Sequence, residues 1–303
     1  MSLSAVTDLK IRRNVLLSTF VTMQVGGRAN YFAEPTTLEE LRSILVWAHE
    51  EKISFFILGK GSNVVFDDAG FSGVVISMLR YRSEDLRREG DEVIAGAGVH
   101  LYRLAKYCCN QELAGGEFFA NIPGTVGGAV YMNAGFSRQP GIKNETSGVL
   151  KEIRILDEKG KEHILQNEDL QFEYRKSTLP SKSFVVEARF RFKPGTKEEI
   201  AAEMQANFDY RNTKQDLKFP SSGSVFKNPP APFPSAGKLI EQNGLKGRRI
   251  GGIQVSEKHA NYFINVAKGT CADLKALIEE VQTVIFVAEG VRLEPEVKMI
   301  LSK

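Results

Sequence analysis

Cysteine is nearly absent. The 303 residues carry three, Cys108, Cys109 and Cys271. An odd count with two neighbours is no disulfide framework and places the chain in a reducing compartment, the cytoplasm. Histidine is almost as scarce, with His49, His100, His163 and His259. None stands at ligand spacing from another His or Cys, so no metal site is expected. No apolar run approaches the ~18 residues that span a bilayer. The first twenty residues hold Lys10, Arg12 and Arg13 but no apolar stretch ahead of a cleavage site, so neither a secretory signal nor a membrane partner is expected. An excess of one charge is missing too. A net charge of +3 and a pI near 8.6 suit small anionic ligands and give no reason to expect nucleic acid.

What is present is a globular composition, 42% hydrophobic and 25% charged. The length suits two or three domains of ~100–200 residues. Thr37 and Glu40 open a helix with Leu38, Leu41, Leu45 and Ala48 on one face. "SFFIL" (54–58) and "FSGVVIS" (71–77) read as strands. The polar run Arg80–Glu92 reads as a solvated turn or hairpin, "VIAGAGV" (93–99) as a strand and Leu101–Glu112 as a helix. Alternation from Val149 to Lys193 predicts antiparallel strands. Thr196 and Glu199 open a helix to about Tyr210, and a short helix over Ser235–Asn243 stops at Gly244. "NYFINV" (261–266) is a strand. Thr270 and Asp273 cap a long helix with Leu274, Leu277, Ile278, Val281 and Val284 on its face, and "VRLEPEVKMIL" closes the chain as a strand pair or bent strand. The expected class is α+β, with boundaries near residues 80 and 196.

Four stretches carry candidate chemistry. In "ILGKGSNVVF", Gly59, Lys60, Gly61, Ser62 and Asn63 follow a strand; successive N–H groups in such a loop make a phosphate nest. Neither a P-loop ending nor a complete Rossmann fingerprint is present. An ordinary tight turn is the alternative. In "NIPGTVGGAVYMNAG", Pro123, Gly124, Thr125, Gly127 and Gly128 let a flat ligand or a pyrophosphate approach the backbone, unless they only pack two backbones together. Two such loops, each with a hydroxyl, fit one extended dinucleotide. In "FEYRKST", Tyr174 and Arg175 would face opposite sides of a strand, and Arg175 is either a carboxylate clamp or a surface residue. "LEPEV" puts Glu294 and Glu296 on one face if the strand is regular. "SSGSVFKNP", which holds Ser224, reads locally as a turn pinned by Val225 and Phe226.

In chain order these blocks, with "NVLLSTFVTMQVGGRA", "AGKLIEQNGLKG" and "GGIQVSEKHANYFIN", resemble the UDP-N-acetylenolpyruvoylglucosamine reductases, in their shorter subtype. The resemblance spans nearly the whole chain. It implies three domains. Residues 1–80 and 81–195 would form an FAD-binding module of the vanillyl-alcohol-oxidase type, and 196–303 an α+β substrate domain. It implies noncovalent FAD on the two glycine loops, NADPH as hydride donor and UDP-N-acetylglucosamine-enolpyruvate as substrate. It places the catalytic positions on Arg175, Ser224 and Glu296, with Ser224 as proton donor. Tyr174, Lys214, Asn228 and His259 fall on the substrate side, with Arg211 and Lys246 as weaker carry-overs. Glu296 makes sense protonated, or as the partner of Arg175 or a water. A flavin-dependent oxidase or a non-catalytic nucleotide binder are the rival readings.

Overall fold

The computed structural model describes residues 9–139, 142–180 and 182–302. They form two compact units. The first contains the described residues up to Arg13, Tyr31–Lys60 and Gly73–Arg211; the second contains Asn14–Asn30, Gly61–Ser72 and the described residues from Asn212 on. Helices, antiparallel sheets and short parallel pairs occur together, as the α+β expectation requires.

The first unit is built on helix α1 (Leu38–Glu50), two neighbouring parallel strands of a four-stranded sheet and a five-stranded antiparallel sheet. Thr37 Oγ1 accepts the Glu40 N–H at 3.2 Å, whereas the Glu40 carboxylate reaches past it to the Thr36 N–H at 2.7 Å. The capping box therefore closes one residue earlier than its pattern implies. Leu41, Ile44, Leu45 and Ala48 of α1 share one core with Val74 and Ile76 of the strand Phe71–Ser77. That strand runs parallel to Phe55–Leu58, with Phe55 opposite Val74 and Leu58 opposite Ser77. The sheet order is Glu162–Gln166, Leu150–Leu156, Phe184–Arg191, Glu92–Gly96, Leu86–Glu89. The polar run Arg80–Glu92 thus supplies an edge strand, and its cations are used: Arg82 and Arg87 reach Glu187 at 2.9 and 3.1 Å. Helix α2 (Leu101–Asn110) buries Cys108 and Cys109. Burial pushes the Cys108 thiol upward, which leaves it protonated and inert. Helix α3 (Val126–Met132) follows the second glycine loop. Helix α4 (Lys197–Lys214) continues four residues past the expected stop at Tyr210.

The second unit has its own core. Its antiparallel sheet orders Ser221–Ser224, Tyr262–Asn265, Ile253–Val255 and Arg249–Ile250. Helix α5 (Ala236–Gln242) ends where Gly244 takes φ +69°. Helix α6 (Cys271–Glu289) begins on the predicted capping box, formed in both directions between Thr270 and Asp273. It buries Leu274, Leu277, Ile278, Val281 and Ile285, each worth about 1.5–3 kcal/mol of transfer energy. Lys298–Ile300 pairs in parallel with Val64–Phe66.

Three local readings change. "SSGS" is the strand Ser221–Ser224 rather than a turn, because its edge is paired by Tyr262–Asn265. Tyr174 and Arg175 do not lie in a strand; they are the two central residues of a tight turn between Glu173 and Lys176. In "LEPEV" the regular strand begins only at Lys298, so Glu294 and Glu296 share no strand face. Pro295, lacking an N–H, sits instead in an isolated bridge with Phe226.

Candidate active site

The strand Phe55–Leu58 delivers Gly59 to the first unit's second glycine loop. A Cβ on Gly59 would lie 2.8 Å from Thr125 Oγ1, so the two loops meet. Thr125 caps α3, its Oγ1 accepting the Gly128 N–H at 3.4 Å. Gly127 donates its N–H to the Ala97 carbonyl at 2.9 Å, and a Cβ there would come within 3.1 Å of the Ala97 methyl. Gly127 and Gly128 therefore shape the loop through close packing and capping. Immediately upstream, Asn121 is buried, and neither its Nδ2 nor its Oδ1 has a partner within the protein. A buried amide left unpaired costs about 1–3 kcal/mol per group. A polar ligand lying along Asn121 and Thr125 removes that cost. This unpaired amide is the observation on which the loop pair suits a polar cofactor such as FAD.

Arg175 belongs to the same unit. Glu173 and Lys176 exchange both backbone hydrogen bonds, at 3.0 and 3.2 Å, and Arg175 between them takes φ +59°. A non-glycine residue in this left-handed region is held there at a cost of roughly 1 kcal/mol. Its guanidinium lies 5.0 Å over the Tyr174 ring and donates from Nη2 to the Gly135 carbonyl at 3.0 Å. Tyr174 is thus the platform under the cation.

The second unit carries Ser224 and Glu296. Between Ser221, opposite Ile264, and Ser224, opposite Tyr262, the strand holds one residue more than its partner. Gly223 absorbs this bulge at φ +76°. Bulges of this kind re-aim the next side chain, here Ser224. The backbone beyond is fixed from two sides. Asn261 acts as a substitute strand, its Oδ1 accepting the Phe226 N–H at 2.9 Å and its Nδ2 donating to the Phe226 carbonyl at 2.8 Å. The Glu296 N–H donates to the Val225 carbonyl at 2.7 Å. Asn63 Nδ2 donates to the Glu296 carbonyl at 3.1 Å, and the Lys298 N–H to the Asn63 carbonyl at 3.0 Å. Thr22 makes a second tie: its N–H donates to the Gly61 carbonyl at 3.0 Å and its Oγ1 to the Ser221 carbonyl at 2.6 Å. Gly61 is at φ +68°, where a Cβ would collide with the Phe20 carbonyl. Gly61, Ser62 and Asn63 are therefore built into the same assembly as Ser224 and Glu296. Ser222 Oγ, two residues from Ser224, is buried without a protein partner.

The remaining candidates differ in use. His259 Nδ1 accepts the Asn261 N–H at 3.3 Å, which leaves the proton on Nε2, and its ring packs edge-on to Tyr262 at 4.7 Å. Burial holds His259 below the usual histidine range, so it is neutral at pH 7. Asn228 spends Oδ1 on the Ala236 N–H at 3.1 Å, at the start of α5. Lys214 is exposed at the end of α4. Arg211 Nη1 donates to the Asn121 carbonyl at 2.7 Å, just ahead of the second glycine loop, while Lys246 pairs with Glu241 at 2.5 Å. Sequence reasoning passed over Asn261, Thr22 and Asn133. The one signal for Asn261 is a polar residue directly ahead of the apolar strand Tyr262–Asn265.

Two family models match the chain. One is the C-terminal domain of UDP-N-acetylenolpyruvoylglucosamine reductase, over residues 215–300, and the other an FAD binding domain, over residues 29–166. The UDP-N-acetylenolpyruvoylglucosamine reductase of Prochlorococcus marinus is 40% identical over 300 residues, 98% of this chain and 95% of that protein. UDP-N-acetylenolpyruvoylglucosamine reductase 2 of Bacillus cereus is 38% identical over 291 residues, 96% and 92% of the two chains. The crystal structure of the Thermus caldophilus UDP-N-acetylenolpyruvylglucosamine reductase superposes with a TM-score of 0.81 at 32% identity, covering 96% of this chain and 99% of that one.

Proposed function

The chain belongs to the UDP-N-acetylenolpyruvoylglucosamine reductase family, and on that premise we propose that Arg175, Ser224 and Glu296 carry the reduction of UDP-N-acetylglucosamine-enolpyruvate to UDP-N-acetylmuramate for peptidoglycan precursors. FAD, when bound, would supply the hydride chemistry between NADPH and the enolpyruvyl double bond. Gly59 and Lys60, with Pro123, Gly124 and Thr125 of the same unit, would hold FAD noncovalently. Three buried free thiols suit a reducing compartment, the cytoplasm. No helix among the described residues is long and apolar enough to cross a membrane.

The residues act on charge and protons. Hydride addition leaves negative charge on the carbon next to the substrate carboxylate. Arg175 is the fixed cation for it: a planar fork pairs with a carboxylate through two parallel hydrogen bonds, as a lysine does not. Because the guanidinium is already anchored to Gly135 and Tyr174, little reorganisation is needed at the moment of reaction. Ser224 delivers the proton to the α-carbon. Glu296, whose backbone N–H is fixed to the Val225 carbonyl, orients the donor side, either as the neutral acid or through a water. His259, neutral with its proton on Nε2, Lys214 and Asn228 serve the uridine diphosphate portion. Residues 1–80 and 81–195 serve the flavin and 196–303 the substrate.

The single observation that carries this reading is the Asn63–Glu296 hydrogen bond, since it joins a cofactor-loop residue to a proposed catalytic residue within one unit. The test is anaerobic. The purified protein should be yellow, release its colour on denaturation, bleach with NADPH and recover on adding the enolpyruvyl substrate. A colourless protein that takes up no flavin overturns the reading. Reoxidation by oxygen but not by that substrate would favour an oxidase.

A further inference from the structure

We propose that Asn133 is a positioning residue for Arg175, fastening the Tyr174–Arg175 turn to the end of the helix whose other end carries the second cofactor loop. The inference deepens the reading above and rests on it for the role of Arg175. Helix α3 is seven residues, about 10 Å, and lies between its caps Thr125 and Asn133. At its far end Asn133 is 1% exposed and takes φ +42°. Its Nδ2 donates to the Glu173 carbonyl at 3.1 Å and to Glu145 Oε2 at 3.2 Å. Its Oδ1 accepts the Ser147 N–H at 3.0 Å. Glu173 is the residue before the turn, and its N–H and carbonyl close the turn against Lys176.

Few side chains satisfy all of these demands. The position needs a left-handed backbone, a donor that serves a carbonyl and a carboxylate together, and an acceptor for an amide. Glycine meets the first only. Aspartate tolerates the backbone and accepts from Ser147, but it has no donor when ionised and sets a second carboxylate against Glu145. Asparagine tolerates the left-handed region and carries both kinds of group. Two further bonds hold the same piece: Ser177 Oγ donates to the Tyr131 carbonyl at 2.8 Å, and Arg175 Nη2 donates to the Gly135 carbonyl. The last turn of α3 and the three residues after it therefore grip the Arg175 turn. Asn133 is the buried member of that grip. Its loss would free the turn without touching Thr125 or the glycines at the other end.

The test is a double-mutant cycle of Asn133→Gly with Arg175→Lys, with Asn133→Asp as a second variant. Asn133→Gly keeps the left-handed backbone unstrained, so the folded protein survives while the amide is lost. Amide hydrogen exchange over residues 172–178 should quicken at least about tenfold in both Asn133 variants. Flavin reoxidation by the enolpyruvyl substrate should fall about 10–100-fold, the range expected for a misplaced group, while NADPH bleaching and FAD affinity change less than about threefold. In the Arg175→Lys background Asn133→Gly should cost little more, because one misplaced group cannot be lost twice. Unchanged exchange at 172–178, multiplicative losses in the cycle, or an equal fall in both half-reactions would overturn the proposal. If wild-type protein bleaches with NADPH but never recovers with the substrate, the reaction reading fails, and the exchange measurement alone decides whether Asn133 holds the turn.

Discussion

The side-chain amide of Asn63 donates to the backbone carbonyl of Glu296 at 3.1 Å, across 233 positions of sequence. The bond is partly buried, so its loss should cost about 0.5–1.5 kcal/mol, in the range of a typical hydrogen bond. Its larger effect should be on geometry. Glu296 is bound through its N–H to Val225, next to Ser224, so slack at Asn63 passes to both. Asn63→Ala should lower Tm by a few degrees and slow flavin reoxidation by the enolpyruvyl substrate about tenfold or more. Stopped-flow of the two half-reactions checks this. Equal slowing of reduction and reoxidation would show that Asn63 matters only for holding flavin.

Ser224→Ala removes the proposed proton donor and little else, since the bulge and the Asn261 clamp act through backbone. NADPH should still bleach the flavin at close to the wild-type rate. Reoxidation should fall about 10²–10⁴-fold, the usual worth of a placed general acid. If both half-reactions fell together, the proton would have another source and Ser224 a binding role.

Much of the fold was legible because its signals are local. Thr270 and Asp273 with apolar residues at helical spacing specify α6 whatever surrounds it, and Gly244 ends α5 in the conformation that only glycine takes cheaply. The two loops were legible as glycine density, and they meet at Gly59 and Thr125. What misled is equally physical. Serine, glycine and asparagine around Ser224 are turn formers, yet pairing with Tyr262–Asn265 overrides that preference, and the glycine serves a bulge. The Arg175 turn gave no warning, because a left-handed arginine has no sequence signature; it is imposed by Asn133, Gly135 and Lys176. Asn261 was invisible for the same reason. Its amide substitutes for a strand edge 35 positions away, which no local pattern records.

Acid should weaken the first unit through Glu92. The residue is 6% exposed, and its carboxylate takes Lys151 at 2.6 Å, Arg191 at 2.7 Å and Arg189 at 2.9 Å. Lys151 first, then Arg191 and Arg189, hold its pKa at about 2 against the opposing effect of burial, where 4.5 is usual. A depressed folded value means that the unfolded chain binds the proton more readily. The contribution is complete above the unfolded value and is lost as pH falls from about 4.5 through about 2. Glu92→Gln should therefore lower Tm at pH 7, with the gap to wild type closing as pH approaches 2. A gap that stays constant across that range would assign the effect to lost packing.

Gly223 offers the sharpest separation of steric from conformational cause. A Cβ there meets no atom within 4 Å, so Gly223→Ala creates no clash. The cost is confined to the backbone, because an L side chain at φ +76° loses roughly 1 kcal/mol or more. The strand can escape that cost by shifting the bulge, and any shift turns Ser224 away from its present direction, since a one-residue slip reverses the face on which a side chain lies. Gly223→Ala should therefore lose only about 1–2 kcal/mol of stability yet slow reoxidation nearly as much as Ser224→Ala, with NADPH bleaching intact. Denaturant unfolding and the two half-reactions measure these independently. A variant that loses stability but reoxidises normally would show that the bulge supports the sheet alone and that Ser224 needs no aiming.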